Sequence, residues 1–399
     1  MTPETPVENL NTKRTMTLNM GPQHPSTHGV LRIVVELDGE LIVSARPDIG
    51  YLHTGIEKEM EVKNWQQCVT LTDRVDYLAN LSNNLCYAMA VEKLLGLEIP
   101  PKAQFTRVML CELSRIQSHL VWLGTHALDI GAMSVFFYCM REGEEVLRLF
   151  EMFSGQRMMT SYIRIGGLAL DHPRGWEKRV KSFLDTFPSR VDQYENLLDN
   201  NPIWKQRTVG IGVVDVHQLL ELGVTGPLIR AAGIPWDIRV NEPYSSYEKF
   251  DVQMAVYQNG DVYDRYRVRM DELRESCRIA KAALEGMPEG RFKADAPKVV
   301  LPDREQMKTQ MESLIHHFKI VTEGFAVPAG EVYQLVESPR GEIGYYVVSS
   351  DGSKPHRVHM RTPSFGNLQA LPVLFDQRLI ADSIATLGSM DFTLGDTDR

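Results

Sequence analysis

Two histidines four residues apart, His24 and His28, stand in the segment Gly21-Pro22-Gln23-His24-Pro25-Ser26-Thr27-His28-Gly29 of this 399-residue chain. At that spacing two imidazoles share a face only on a helix, and Pro22, Pro25 and the glycines forbid one. The segment therefore reads as a rigid loop presenting two imidazoles just before a strand. Two roles fit it: a turn whose histidines cap backbone carbonyls, or a proton-handling loop, because histidine titrates near neutrality without perturbation. Asp129, in the apolar stretch THALDIGAMSVFF, is the second unusual residue. A lone carboxylate there is costly unless it is paired or hydrogen-bonded. It either caps a helix ahead of Gly131 or pairs with a histidine, which would raise the imidazole's pKa and fix its tautomer.

Other chemistries are excluded by what the chain lacks. It has no glycine-rich phosphate loop of the Rossmann or Walker type, no GxSxG nucleophile elbow and no HExxH zinc motif. Its five cysteines (Cys68, Cys86, Cys111, Cys139 and Cys277) are too far apart for any CxxC pair, which rules out a cluster or thiolate metal held by local pairs. Their odd number makes no disulfide framework and points to a reducing compartment. His316 and His317 are adjacent on an apparent helix, point about 100° apart and cannot share a metal; they read as packing or surface residues. A net charge of -9 argues against nucleic-acid binding, and 43% hydrophobic with 24% charged residues is ordinary for a packed soluble protein.

The elements that must position these residues read as α+β, with a mainly helical core and small sheets at the N- and C-terminal ends. Residues 30–45 predict a hairpin turning at Asp38-Gly39. Asp73 is expected to cap a helix carrying Val75, Leu78, Leu81, Leu85, Met89 and Leu94, stopped at Gly96 ahead of Pro100-Pro101. A second helix is expected from about Thr106, and others over roughly 141–153, 175–200, 261–285 and 303–319. Strand patterns return after Gly330. The stretch between Arg115 and Arg141 resembles a membrane span, but Gln117, Ser118, His119, two glycines and Asp129 make a buried helix or helix pair the better reading. No linker divides the chain, so one domain over 15–399 is expected, preceded by a flexible polar segment over 1–14 without the apolar core of a signal peptide.

At GPQHPSTHG, DIGYLHTGIEK, DRVDYL, AVEKLLG, ELSRIQSHL, THALDIGAM, IGG and the closing GDTDR the chain resembles, in order from about Thr15 to Arg399, the 49 kDa subunit family of respiratory complex I, called the D subunit in bacteria. That family is related to the large subunits of NiFe hydrogenases, whose metal is held by an R-x-C-G-x-C segment and a terminal D-P-C-x-x-C-x-x-H segment. By that resemblance Asp76 and Ala79 stand in the first pair of cysteine places, Thr393 and Asp396 in the second, and Arg399 on the terminal histidine. No soft ligand for nickel and iron is left, so no metal is expected in this chain.

The resemblance implies a hydrogenase large-subunit-like fold whose old metal pocket receives a quinone headgroup. Tyr77 and His28 would contact the two ends of the quinone, Asp129 would pair with His28, and His24 and Thr125 would line the same cavity. A phenol and an imidazolium in reach of the quinone oxygens could supply both protons of quinol formation. No cofactor is expected in the chain itself. Electrons would come from a 4Fe-4S cluster in a neighbouring iron–sulfur small subunit (the B subunit), fed by NADH and FMN elsewhere in the complex. Further partners implied are the C subunit, the ferredoxin-like I subunit, and the membrane H subunit at the quinone entrance. Absence of a transit peptide points to a bacterial source and a peripheral place on the cytoplasmic face of the plasma membrane. One departure is Thr54, where much of the family carries arginine in Arg-Gly-x-Glu; threonine makes no bidentate charge-assisted contacts near that cluster. A working hydrogenase would need the missing cysteines. A scaffold without quinone chemistry would not need His28, Tyr77 and Asp129 together. An electron donor other than NADH stays open within the family.

Overall fold

The computed structural model describes residues 15–399, so the expected flexible segment over 1–14 lies outside the described residues. The predicted hairpin is present and has a third strand. β1 (Met16–Met20) pairs antiparallel with β2 (Arg32–Asp38), which pairs with β3 (Leu41–Asp48) across the turn at Gly39, whose φ of 64° suits glycine. Ile33, Val35 and Leu37 are buried and alternate on β2 with the more exposed Arg32, Val34, Glu36 and Asp38, which fixes the face the sheet turns inward.

The helical core follows as α1 (Ile56–Met60), α2 (Trp65–Val75), α3 (Asn80–Leu95), α4 (Pro101–Asp129) and α5 (Met133–Ser154). Asp73 is not a helix cap. It lies inside α2, buried, and its carboxylate accepts from Asn80 Nδ2 at 2.9 Å and from the Ser161 hydroxyl. The cap is Asn64, in reciprocal exchange with Gln67. The apolar period expected to run unbroken from Val75 to Leu94 is interrupted over 76–79. There Asp76 Oδ1 accepts from the backbone N–H of Leu78 at 3.1 Å and of Ala79 at 3.3 Å, holding a tight turn that aims Tyr77 out of the helical line. Gly96 ends α3 with φ 62° as expected, and α4 begins earlier than Thr106, with Pro101 at its first position. The apolar stretch between Arg115 and Arg141 forms the junction of α4 and α5, which pack on each other; its first half is mostly buried as expected, but Leu128, Met133, Phe137 and Tyr138 in the second half are exposed. No helix among the described residues is long and apolar enough to cross a membrane.

The other predicted helices appear as Trp176–Leu198, Val262–Glu285 and a split pair, Arg304–Thr309 and Met311–Thr322, the last carrying half-exposed His316 and His317. Strands Gly330–Ser338, Gly341–Ser349 and Arg357–Arg361 form an antiparallel meander, but it does not close the chain. Four short helices follow it: Pro363–Leu368, Leu371–Phe375, Ile380–Ser389 and Leu394–Asp398. The fold is α+β, mainly helical, with three small antiparallel sheets among the described residues. Buried apolar side chains form one large cluster over α2–α5 and the Trp176–Leu198 and Val262–Glu285 helices. A second joins β1–β3 to the C-terminal helices, and Trp236 packs against both.

Candidate functional site

The turn over 76–79 and the C-terminal segment, more than three hundred residues apart, meet. A Cβ placed on Gly395 would lie 2.7 Å from Val75 O, 2.9 Å from Arg74 O and 3.4 Å from a Tyr77 ring carbon, so glycine is what lets the last helix close onto the turn. Gly50 and Leu52 N–H donate to the Asp398 carboxylate at 2.8 and 2.7 Å, and His53 Nδ1 lies 2.7 Å from Asp398 O. This ties the C-terminus to the loop that carries exposed Thr54. Arg399 stacks over Phe365 at 4.7 Å and donates to Met360 O at 2.6 Å.

Between these segments is a cavity of about 230 Å³, lined among others by His28, Tyr77, Thr125, Asp129, Arg340 and Asp391. A cavity of about 150 Å³ already holds a benzene ring, so this one has room for a substituted six-membered ring. Four of the five residues singled out in the sequence line it; His24 does not.

The loop bearing the histidines is held by Thr27, whose hydroxyl donates to Pro22 O at 3.1 Å and His24 O at 3.0 Å. Gly21 is required, because with φ 80° its Cβ would lie 2.3 Å from Leu31 O. His24 does cap the short helix Pro25–Thr27, but it accepts the Ser26 N–H at 3.2 Å and does not bind a carbonyl. His28 follows in the left-handed region (φ 54°), and its ring stacks on Phe392 at 5.0 Å. Burial, and next Arg340, push its pKa below the ordinary value. The imidazolium expected from the sequence is therefore a neutral imidazole at pH 7.

The expected pairing of His28 with Asp129 is not formed: no hydrogen bond or ion pair among the described residues joins them. Asp129 stands at the last position of α4 with much of its surface open to solvent; partial desolvation at the cavity wall raises its pKa, and the imidazole that opposes this is His24. With its ring turned onto Phe392, His28 has no carboxylate to hold its charge, which agrees with its lowered pKa. Thr125 turns its hydroxyl back onto Val121 O and Trp122 O, at 3.0 and 3.1 Å.

Tyr77 is half-buried, and no described side chain hydrogen-bonds its hydroxyl. Burial raises its pKa, Arg340 works against the rise, and Asp76 adds to it. The phenol is protonated at pH 7. Arg340 is the residue the sequence reading missed. It is fully buried, bridges Asp76 at 2.5 Å and Asp391 at 3.4 Å, and faces both Tyr77 and His28. Burial and then Asp76 push the pKa of Asp396 up, so the three carboxylates Asp76, Asp391 and Asp396 share the charge of Arg340 as one coupled group. Asp391 opens the closing segment in which the sequence reading singled out Thr393 and Asp396. Arg340, between two strands and 264 residues from Asp76, carried no local signal.

Residues 129–399 match the family described as respiratory-chain NADH dehydrogenase, 49 kDa subunit. The chain belongs to that family. It is similar over nearly its whole length to curated bacterial relatives. The NADH-quinone oxidoreductase D subunit 1 from Solibacter usitatus is 69% identical over 386 residues, covering 97% of this chain and 94% of the relative. The D subunit 2 from Koribacter versatilis is 62% identical over 395 residues, covering 99% and 98%. The corresponding D subunit from Geotalea uraniireducens is 52% identical over 384 residues, covering 96% and 98%. Members of this family are subunits of a hetero-oligomeric oxidoreductase, so the cavity is one part of a larger enzyme.

Proposed function

We propose that this chain forms, with an iron–sulfur partner subunit, the pocket in which a quinone headgroup is reduced to quinol by electrons from NADH. The observation that carries the reading is the convergence of a free phenol, a neutral imidazole and a buried guanidinium on one ring-sized cavity. Quinone plus two electrons and two protons gives quinol. The Tyr77 O–H donates to one quinone oxygen and gives up its proton as charge builds there, leaving a phenolate that Arg340 stabilises. His28, at the exposed rim, hydrogen-bonds the other oxygen as a neutral imidazole. Negative charge on the reduced headgroup then raises its pKa, so it takes a proton from solvent and delivers it.

The meeting of 76–79 with 391–399 also supports descent from a hydrogenase-like metal pocket. Asp76, Ala79, Thr393 and Asp396 stand at the former cysteine places, and an internal arginine–carboxylate cluster occupies the space. The electrons reach the pocket from a 4Fe-4S cluster in the iron–sulfur small subunit, loaded by NADH through FMN elsewhere. The C and I subunits and the membrane H subunit complete the surroundings. The whole is peripheral on the cytoplasmic side of a bacterial plasma membrane, where quinone reduction drives proton transport. Displacement of Asp129 relative to His24 as His28 gains charge is the local event that would start the coupling.

A photoreactive short-chain quinone added to the assembled complex tests this reading. Label should map to peptides carrying Tyr77, the 121–129 turn of α4 and 387–393, and unmodified quinone should compete it away. Label confined to other subunits counts against a headgroup site here.

A further inference from the structure

Arg340 reaches the cavity from a turn whose own sequence does not fix its aim. Strands Gly330–Ser338 and Gly341–Ser349 pair as far as Ser338 and Gly341, so Pro339 and Arg340 alone connect them. Two-residue hairpin turns that match the twist of their strands place left-handed residues, usually Gly or Asn, at their centre. Proline is locked at a φ of about -65°, and Arg340 does not have a positive φ. A turn of this kind splays its strands unless contacts from elsewhere hold it.

Arg115 supplies that hold. It lies on α4, is fully buried and has no part in the reaction above. Its guanidinium donates from Nη2 to Glu337 O at 2.7 Å and from Nη1 to Ser338 O at 2.9 Å, the last two carbonyls before the turn. Ser338 Oγ in turn accepts the Arg340 N–H at 3.2 Å, and Asn367 Nδ2 donates to Arg340 O at 3.1 Å. Arg115 is itself anchored. Its Nε lies 3.4 Å from Glu112 Oε2, and Glu112 is bridged by Arg239 at 3.2 Å and accepts the Tyr247 hydroxyl at 2.6 Å. Neutral donors could satisfy two main-chain carbonyls without the cost of burying a charge. What a guanidinium adds is a rigid planar fork that fixes both at once. Farther along α4, Thr125 and Asp129 line the cavity. Ten residues of helix, about 15 Å, separate Arg115 from Thr125, so one element sets both the cavity wall and the turn that carries Arg340.

Resting on the quinone-site reading, we propose that Arg115 is a positioning residue for quinone reduction, whose fork on Glu337 O and Ser338 O aims Arg340 at the charge left on Tyr77. Arg115 does not line the cavity and acts only through Arg340. The charge on Tyr77 develops as its proton leaves, so the aim of Arg340 matters in the transition state and little in the bound ground state.

Arg115→Lys keeps a cation beside Glu112 and loses the fork. In membranes carrying the assembled complex, kcat for NADH:quinone turnover should fall about tenfold. The quinone KM and the NADH:hexacyanoferrate rate should not change. In a Tyr77→Phe background the same substitution should cost nothing more, because no phenolate is left for Arg340 to meet. An unchanged kcat in Arg115→Lys alone, or a further tenfold fall in the double variant, overturns the proposal. Tyr77→Phe by itself separates the two ideas: if it keeps its quinone rate, the quinone-site reading falls and the positioning role with it. A loss in Tyr77→Phe beside a wild-type Arg115→Lys sinks the positioning role alone. A role in folding only would lower both acceptor rates together, and in that event Ser338→Ala decides. It removes just the hydroxyl that accepts the Arg340 N–H, and should lower kcat about threefold with KM and the hexacyanoferrate rate intact. A wild-type kcat there overturns the proposal.

Discussion

Tyr77→Phe should lower the NADH:quinone rate by about a hundredfold while leaving the NADH:hexacyanoferrate rate intact, because one positioned proton donor contributes about that much to a transition state. The ring is half-buried and closely approached by the backbone of Gly395, and phenylalanine keeps that packing. Only the hydroxyl is lost, and no described side chain depends on it. The comparison of acceptors separates chemistry from assembly, since hexacyanoferrate takes electrons before the quinone site. If both rates survive, Tyr77 is packing only. If both collapse, the side chain is needed to build the complex, and its free hydroxyl has been misread.

Arg340→Leu is expected to have the largest effect on stability. Its guanidinium is fully buried and bridges Asp76 and Asp391, with Asp396 beside it. Removing one partner of such a cluster strands buried carboxylates, a loss of about 3–5 kcal/mol. The sign with pH follows from the shifts. Asp391 and Asp396, the latter at about 7, are held above their unfolded values, so their contribution is fully present below the unfolded pKa and is lost as pH rises toward neutrality. Without Arg340 that loss deepens, because the cation closest to Asp76 and Asp391 is gone and Arg269, 3.9 Å from Asp391, is the main remaining counter-charge. Hydrogen exchange at 391–398 in the assembled complex should therefore show more opening in the variant at pH 8 than at pH 5.5. Adding Asp76→Asn should recover part of the protection. Opening that is equal at both pH values would mean that Arg340 acts by packing alone.

Much of this architecture was legible from local pattern. The Asp38-Gly39 turn, the Gly96 stop, the helical form of 115–129 and the Val262–Glu285 helix each rest on short-range rules. β1 escaped notice because MTLNM is a short run with only weak strand character, and it gains strand form by pairing with β2. The reading failed most clearly at Asp73, where a good capping residue is spent inside a helix on Asn80, and over 76–79, where an apolar helical period is broken by the Asp76 side chain. That break carries Tyr77 into the cavity, and local rules tend to fail where a site overrides them. In the site, His28, Tyr77, Thr125 and Asp129 were named from motifs and do share one cavity. Their pairing was not legible. Asp129 answers to His24, and His28 to Phe392 and Arg340, because contacts across the fold decide which imidazole a carboxylate meets.

A structure of the assembled complex with a short-chain quinone bound would decide whether this cavity is the headgroup site. The headgroup is expected inside the cavity between Tyr77 and His28, with one carbonyl oxygen at hydrogen-bond distance from the Tyr77 hydroxyl and the other facing the His28 imidazole. A headgroup bound elsewhere in a competent complex, with Tyr77 and His28 both out of reach, would contradict that assignment.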